Sequence, residues 1–419
     1  MTAVLLGFGV LLVVLLLLNA WPASKKVRDP FELPYAVGDD QFVRSMGALL
    51  GPPLADGCEA TELLNGDAIF PAMLAAIRSA RETVTFETYI YWKGETGHAF
   101  SEALCERARA GVRCHVILDW IGSADIDEAD VKAMEDAGVQ VVRYHPLRWY
   151  HLARLNERTH RKLLVVDGRV GFTGGVGIAD EWTGDGFDPK HWRDTHFRVV
   201  GPVVAQMQAA FVDGWLRTTG ELLDGPGYFP PLESCGAMRA QVFSSSPRQG
   251  NDSVRLMYLM SIAAARRSIR MSYGYFVPDR GALAMLERAV RRGVKVEIVL
   301  PGRHIDAPMT RFAARGLYGR LLKRGIRIFE YQPAMYHCKV LIVDEAWVSV
   351  GSTNFDNRSF LLNEEANLNV LDEAFAGRQV AVFEQDKAHA EEITLEAWRR
   401  RPLGEKLLNL LTIPVRSQM

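Results

Sequence analysis

The chain has 419 residues, of which 48% are hydrophobic and 24% are charged, and its formal net charge is −1. This length allows two ordinary domains or one large domain built from two halves, and the composition is that of a globular protein. A near-neutral charge argues against capture of nucleic acid by overall electrostatics. The five cysteines show neither a CxxC pair nor zinc spacing, which favours free thiols in a reducing compartment.

The first predicted element is an apolar segment at the N-terminus. Residues 3–21 (AVLLGFGVLLVVLLLLNAW) are uncharged, and as a helix they would span about 28 Å, close to the thickness of a hydrocarbon core. Lys25, Lys26 and Arg28 follow this segment, whereas no basic side chain precedes it. A signal peptide normally begins with a basic region. We therefore predict an uncleaved transmembrane anchor at 1–24, with the remaining chain on the cytoplasmic side of the inner membrane.

Matching helix and strand patterns then occur twice along the chain. Each series has an apolar strand, an amphipathic helix, a glycine turn, a β-branched strand, and then a second helix end, glycine and strand. The matching segments are 83–92 and 268–278, 102–123 and 283–304, and 134–146 and 322–334. This alternation predicts an α/β fold in which each half is a mainly parallel sheet with helices on both faces.

The two halves are separated by a segment rich in glycine and proline. Residues 222–236 (LLDGPGYFPPLESCG) contain few periodic apolar positions, as expected for a connection rather than for a helix or strand. We therefore place a first lobe at 55–230 and a second lobe at 238–419. Polar residues repeated at strand ends are typical of the active sites of α/β sheets.

The same polar motif closes the series in each half. HRKLLVVD (160–167) and HCKVLIVD (337–344) both read His-x-Lys-x4-Asp. Residues two apart on a strand point to the same face, so we expect each histidine to lie beside the lysine of its own motif. If the two lobes face each other, two histidines and two lysines converge on one pocket.

Such a pocket suits an anion with several oxygens, and a phosphodiester fits. One imidazole can attack phosphorus while the other protonates the leaving oxygen. The lysines, together with Asn354, can hold the non-bridging oxygens as negative charge builds up. We expect no metal and no cofactor, because no Asp/Glu/His cluster with metal spacing lies near either motif.

The repeated His-x-Lys-x4-Asp motif, with Gly-Gly or Gly-Ser seven residues after each Asp, resembles the phospholipase D superfamily over almost all of the chain after about residue 55. Within that superfamily the chain is most similar to bacterial cardiolipin synthases, in segments such as WRDTHFRVVGPVV and NEEANL. The resemblance implies two phospholipase D-like lobes with the active site between them. It also implies transfer of a phosphatidyl group between phospholipids at a membrane, so that two phosphatidylglycerols give cardiolipin and glycerol.

The resemblance also implies roles for the motif residues. His160 is expected to be the nucleophile that forms a phosphohistidine, and His337 the general acid and later the base, although the symmetry of the sequence leaves their order open. Lys162 and Lys339 are expected to bind phosphate oxygens. No nucleic-acid partner is implied, and the oligomeric state stays open.

The motif aspartates and the residues that follow them complete the predicted site. Asp167 and Asp344 are expected to orient an imidazole or to pair with a nearby cation, and a simple turn at the strand end is the alternative. Substrate contacts are expected from Gly174, Gly175, Gly351, Ser352, Asn354 and Glu365.

The first lobe departs from this pattern at one position. Gly177 stands ten residues after Asp167, where the second lobe has Asn354, and Glu181 is the candidate counterpart of Glu365. Four functions stay in competition at this stage. The first is a membrane-bound phosphatidyltransferase, and the second is a phospholipase D-type hydrolase with water as acceptor. The third is a nuclease of the same superfamily, for which more basic charge and no lipid anchor are expected, and the fourth is a lipid-binding scaffold without activity.

Overall fold

The structure is a computed structural model that describes residues 31–146, 157–246, 253–413 and 416. The anchor predicted at 1–24 lies outside these residues. Within the described ranges, no helix combines the length and the apolar character needed to cross a membrane.

The first lobe follows a helix, α1 (Asp40–Leu50), and alternates strands with helices along most of its length. Its strands are β1 (Ala55–Leu64), β2 (Thr83–Thr88), β3 (Arg113–Asp119), β4 (Gln140–Tyr144), β5 (Arg158–Thr159), β6 (Leu163–Val166), β7 (Val170–Gly174) and β8 (Thr195–Val200). Its helices are α2 (Asn65–Ser79), α3 (Glu95–Arg109), α4 (Glu128–Asp136) and α5 (Val204–Thr219), with one 3-10 turn at Asp180–Trp182.

The second lobe repeats this order and adds helices at its C-terminal end. Its strands are β9 (Met238–Ser245), β10 (Ser268–Tyr273), β11 (Phe276–Val277), β12 (Lys295–Pro301), β13 (Arg327–Tyr331), β14 (Lys339–Val343), β15 (Trp347–Gly351), β16 (Phe355–Asp356), β17 (Asn363–Leu371) and β18 (Ala390–Glu392). Its helices are α6 (Ser253–Ala264), α7 (Arg280–Arg291), α8 (Pro308–Leu322), α9 (Asn357–Leu361), α10 (Glu373–Ala388), α11 (Leu395–Arg399) and α12 (Leu403–Leu411).

One sheet runs through both lobes. Its strands lie in the order β18-β13-β12-β10-β14-β15-β17-β9-β1-β8-β7-β6-β2-β3-β4, and β5 pairs with β17. The antiparallel pair β1–β9 joins the lobes. Outward from this pair the two lobes present equivalent strands in the same order, so the sequence repeat is also a repeat of structure.

The prediction of a mainly parallel sheet is wrong. In the first lobe β2–β3 and β3–β4 are parallel, but β2–β6, β6–β7, β7–β8 and β8–β1 are antiparallel. The cause is a hairpin after each motif. Asp167 and Gly168 have φ of 51° and 61°, and Asp344 and Glu345 have φ of 54° and 58°. Two consecutive positive φ values are the geometry of a type I′ turn, which reverses the chain into an antiparallel pair.

Helices cover both faces of the sheet, as predicted. In the first lobe α2, α3 and α4 share one core with the sheet, while α5 packs on the opposite face.

The short segment before the first lobe belongs to the hydrophobic core of the second lobe. Phe42 and Met46 of α1 are buried in the second lobe, where the Phe42 ring lies edge-on to Trp347 with 5.0 Å between centroids. The second lobe is therefore completed by residues that precede the first.

Candidate active site

A cavity of about 270 Å³ lies where the two lobes meet. The first lobe lines it with Tyr89, Ile90, Trp92, His160, Lys162, Trp182 and Trp192. The second lobe lines it with Tyr275, Asp306, His337, Asn354, Asp356, Arg358, Ser359 and Asn363. Both motifs therefore open into one space.

Of the motif histidines and lysines, Lys339 alone lies within a regular strand, although all four were expected to. His160 and Lys162 precede β6, which begins at Leu163, and His337 precedes β14, which begins at Lys339. The backbone of each motif is nevertheless fixed by the opposite lobe. The His160 N–H donates to the carbonyl oxygen of Glu364 at 2.8 Å, and the His337 N–H donates to that of Arg193 at 2.8 Å.

Each imidazole is also held by a carboxylate of the opposite lobe. The Nδ1 of His160 lies 3.1 and 3.0 Å from the two carboxylate oxygens of Glu365. The Nδ1 of His337 lies 2.7 Å from an oxygen of Asp194, which also accepts the Nε1–H of Trp182 at 3.0 Å. A carboxylate can only accept, so each Nδ1 carries a proton and each Nε2 keeps its lone pair.

Burial sets the protonation of both rings. It lowers the pKa of His160 to about 4, with Lys162 acting in the same direction and Glu365 opposing. Burial, and then the charge of Lys339, also lower the pKa of His337. Burial alone would raise the pKa of Glu365, but the neighbouring His160 and Lys162 outweigh it and lower that pKa. The resting site therefore holds two neutral imidazoles at neutral pH, each backed by an ionised carboxylate.

The two motif lysines are buried beside the histidines. Lys162 donates to the carbonyl oxygen of His160 at 2.8 Å and lies 5.4 Å from the ring centre of Tyr89. The Nζ of Lys339 lies 2.9 and 3.0 Å from the two ring nitrogens of His337. Burial lowers the pKa of Lys162 to about 7 and also lowers the pKa of Lys339. An anion bound between them would favour the charged form of both.

The motif aspartates lie elsewhere, and their predicted contact with the imidazoles is corrected here. Asp167 accepts the backbone N–H groups of Arg81, Glu82 and Thr83 at 2.8 to 3.2 Å. Asp344 makes the equivalent contacts in the second lobe. The reason is distance, because the residues of the intervening strand separate each carboxylate from the lysine by roughly 15 Å of extended chain. Both aspartates therefore fit the alternative prediction, a turn at the end of the strand.

The residues that follow the motifs divide into two groups. Asn354 lines the cavity, and its Oδ1 is buried without a hydrogen-bond partner in the described structure. Gly174, Gly175, Gly351 and Ser352 are not among the lining residues. A Cβ on Gly175 would collide with the carboxylate of Asp194, and the Ser352 hydroxyl donates to Glu365. Gly175 therefore makes room for one of the carboxylates that bind the histidines, and Ser352 holds the other. Gly174 and Gly351 lie close to His196 and Ala366 on the neighbouring strands, whereas direct substrate contact was expected for all four.

Asp194 is the functional residue that sequence reasoning missed. It lies in the WRD segment that carried part of the family resemblance, but no role was predicted for its side chain. Glu181, the expected counterpart of Glu365 in the first lobe, does not line the cavity.

The strand register identifies the counterpart of Glu365. Gly174 of β7 opposes His196 of β8, and Gly351 of β15 opposes Asn367 of β17. Each carboxylate that binds a histidine lies two residues before the residue opposite the glycine. The sequence alone does not give this pairing of strands. Counting residues from the Gly-Gly and Gly-Ser pairs could therefore not have identified Asp194.

The fold is similar to those of two solved enzymes. A phosphatidylserine synthase from Haemophilus influenzae Rd KW20 superposes with a TM-score of 0.69 at 13% identity, over 90% of this chain and 98% of that chain. A polyphosphate kinase from Porphyromonas gingivalis gives a TM-score of 0.54 at 12% identity, over 94% of this chain and 57% of that chain. At these identities the likeness concerns the fold alone.

Comparison of sequences is more specific. The family model "Cardiolipin synthase, PLD-like domain" matches residues 73–199 and 258–387. Cardiolipin synthase A from Pseudomonas fluorescens (strain SBW25) is 36% identical over 88% of this chain and 78% of its own length. A cardiolipin synthase from Geobacillus kaustophilus (strain HTA426) is 34% identical over 90% of this chain and 75% of its own length. The chain therefore belongs to the cardiolipin synthase family of the phospholipase D superfamily.

Proposed function

We propose that the chain is a phosphatidyltransferase that forms cardiolipin from two phosphatidylglycerols and releases glycerol. The observation that carries this proposal is the pair of neutral imidazoles in one cavity, each bound through Nδ1 to a carboxylate of the opposite lobe. The two lysines beside them can balance the negative charge of a phosphodiester. Membership of the cardiolipin synthase family supports the choice of a phospholipid as that diester.

In the first step, the Nε2 of His160 attacks the phosphorus of a phosphatidylglycerol. The bond between phosphorus and the headgroup glycerol oxygen breaks, and that oxygen takes a proton from the Nε2 of His337. Free His337 is neutral, so binding of the phosphate anion must first raise its pKa for it to act as the acid. Asp194 stabilises the resulting imidazolium, and Lys162 and Lys339 stabilise charge on the non-bridging oxygens.

In the second step, His337 acts as the base. A primary hydroxyl of a second phosphatidylglycerol loses its proton to the Nε2 of His337, and its oxygen attacks phosphorus. The bond between phosphorus and His160 breaks, which releases cardiolipin and leaves His160 neutral again. His337 then loses its extra proton as the anionic product leaves, which restores the resting site with two neutral imidazoles. The amide of Asn354, which lines the cavity and has an unpaired buried Oδ1, is suited to bind a hydroxyl of the glycerol headgroup.

The walls of the cavity favour a lipid alcohol over water as acceptor. Five aromatic side chains line it, namely Tyr89, Trp92, Trp182, Trp192 and Tyr275. The His337 ring lies 5.4 Å from the Trp182 ring and 5.3 Å from the Trp192 ring. Such walls limit the access of water to the phosphohistidine, which is the condition for transfer rather than hydrolysis.

In this proposal, the active site acts at the surface of a membrane. The uncharged segment at 3–21, followed by Lys25, Lys26 and Arg28, anchors the chain in the inner membrane and leaves the catalytic lobes on the cytoplasmic side. Fusion of a reporter enzyme that is active only in the periplasm to the C-terminus tests this orientation. An inactive reporter is expected, and an active one would reverse the topology.

The reaction is tested with purified full-length protein in phosphatidylglycerol vesicles, with products separated by mass. Cardiolipin and glycerol in equal amounts are expected, and the double variant H160N/H337N is the control. Phosphatidic acid without cardiolipin would make the protein a hydrolase. Neither product from phosphatidylglycerol, alone or mixed with phosphatidylethanolamine, would contradict the proposal.

A further inference from the structure

The C-terminal helix α12 exposes its leucines and buries a polar side chain. Leu403, Leu407, Leu410 and Leu411 are 80%, 59%, 60% and 61% exposed, whereas Asn409 is buried. The spacing of these leucines places them on one face of the helix. A surface helix of a soluble protein normally has the opposite arrangement, with its apolar face toward the core.

Contacts on the inner side fix this orientation. The side-chain amide of Asn409 donates to the carbonyl oxygen of Phe312 at 2.7 Å, and Glu405 accepts from the Nε of Arg315 at 2.7 Å. Both partners belong to α8. Rotating the leucines inward would break these polar contacts, so their exposure is a built feature of the described fold.

The residue Arg416, shortly after the exposed face, lies next to the wall of the cavity. Beyond α12, the carbonyl oxygen of Arg416 accepts from the side-chain amide of Asn357 at 3.1 Å. Asn357 is next in sequence to Asp356 and Arg358, which both line the cavity. Arg416, three residues after Ile413, therefore contacts a residue that stands between two residues of the cavity wall.

The segment that carries the apolar face has a net positive charge. Residues 395–413 contain four basic and two acidic side chains. Both acids have basic partners, because Glu396 lies 2.6 Å from Arg400 and Glu405 pairs with Arg315. Leucines bordered by Lys and Arg are typical of helices that lie on anionic bilayers. A second copy of the chain would bring like charges together, and the uncharged segment 3–21 would leave them without partners.

We propose that the leucine face of α12, formed by Leu403, Leu407, Leu410, Leu411 and Ile413, lies on an anionic lipid bilayer and holds the mouth of the cavity at that surface. This inference rests on the proposed function, since a lipid diester must reach the cavity from the bilayer. It adds a second contact with the membrane, made by the catalytic body itself.

The position of the helix is tested with a fluorescent thiol label on Leu407→Cys. The background is Cys235→Ser, because the other four cysteines are buried, and full-length protein is reconstituted in phosphatidylglycerol vesicles. Quenching by spin-labelled lipid, with protection from aqueous iodide, is expected at Leu407 and not at the equally exposed Leu222. Quenching by iodide alone would overturn the proposal. Protection from both quenchers would also overturn it, because a protein segment would then cover the face.

The functional consequence is tested with L407E/L410E, and L222E is the matched control. Each leucine withdrawn from the bilayer is worth roughly tenfold in affinity, so turnover of vesicle phosphatidylglycerol should fall at least about tenfold. Turnover of a monomeric short-chain phosphatidylglycerol should not change. Equal losses on both substrates, or no loss on vesicles, would contradict docking. If the wild type processes neither substrate, the proposed function fails, and the quenching result alone decides on docking.

Discussion

The Nδ1 of His337 lies 2.7 Å from a carboxylate oxygen of Asp194, although 143 positions and the boundary between the lobes separate the two residues in the chain. The carboxylate is buried and also accepts the backbone N–H of Thr195 at 2.8 Å. Burial alone would raise its pKa, but the hydrogen bond from His337 and the neighbouring Lys339 outweigh burial and lower that pKa, so the carboxylate stays ionised. The ring is therefore fixed in one tautomer by a residue that sequence reasoning did not select.

Replacing either orienting carboxylate by its amide should reduce kcat strongly. In Asp194→Asn or Glu365→Gln, the new NH2 group can donate to Nδ1 and favour the tautomer with its proton on Nε2. We expect losses between about 10²- and 10⁴-fold. The measurement is kcat on phosphatidylglycerol, with thermal unfolding as the control for folding. Near-normal kcat in both variants would remove the orienting role.

The order of the two histidines is tested with a substrate whose leaving group needs no proton. With a phosphatidyl p-nitrophenyl ester, His337→Asn should still release one equivalent of p-nitrophenolate per site in a burst, because only the general acid is missing. His160→Asn should release none. A burst from His160→Asn and none from His337→Asn would reverse the assignment.

The motif aspartates should govern stability instead of chemistry. The Asp344 carboxylate accepts the backbone N–H groups of Arg266, Arg267 and Ser268 at 2.7, 2.7 and 2.9 Å. Asp344→Ala leaves these donors without their acceptor and should lower the free energy of unfolding by about 3 kcal/mol. Asp344→Asn, which keeps one acceptor oxygen, should lose less. Denaturant unfolding measures both, and kcat per folded molecule should stay close to that of the wild type.

Stability should depend on pH through a histidine outside the reaction. Burial lowers the pKa of His196 to about 4, whereas an unfolded histidine has a pKa of about 6.5. Between these values only the unfolded state takes up the proton, so this histidine removes stability as the pH falls from about 6.5 to about 4. His196→Gln should therefore lose less stability over this window, by roughly 1.4 kcal/mol per pH unit. Urea unfolding at several pH values checks this, and parallel curves for the two proteins would contradict it.

The repeat was visible in the sequence because it is a local pattern. Strand, helix and glycine turn follow one another at the same spacing in both halves, and the structure has β3 and β12 within the segments predicted for them. The Asp-Gly pair at 167–168 was also a hairpin signal. We interpreted its aspartate as part of the site, so the antiparallel half of the sheet was missed.

The contacts between the lobes could not be predicted from a local sequence pattern. His160 and Glu365 are 205 residues apart, and nothing in the periodicity of either segment reports that they meet. Their contact depends on the register of β17 and on its parallel pairing with β5, where Asn363 lies opposite Arg158. Register between distant strands is set by the packed fold as a whole, and one sequence does not reveal it.

The crossed arrangement of histidines and carboxylates has a consequence for how such a chain can arise. A lobe on its own keeps its histidine but lacks both the carboxylate and the backbone carbonyl that hold it. It could complete a site only against a second copy of itself, as in a symmetric dimer. Duplication and fusion would preserve that arrangement and then let the copies diverge, as Asn354 and Gly177 have done. Changes that move a carboxylate in one half should therefore be tolerated only with matching changes in the other.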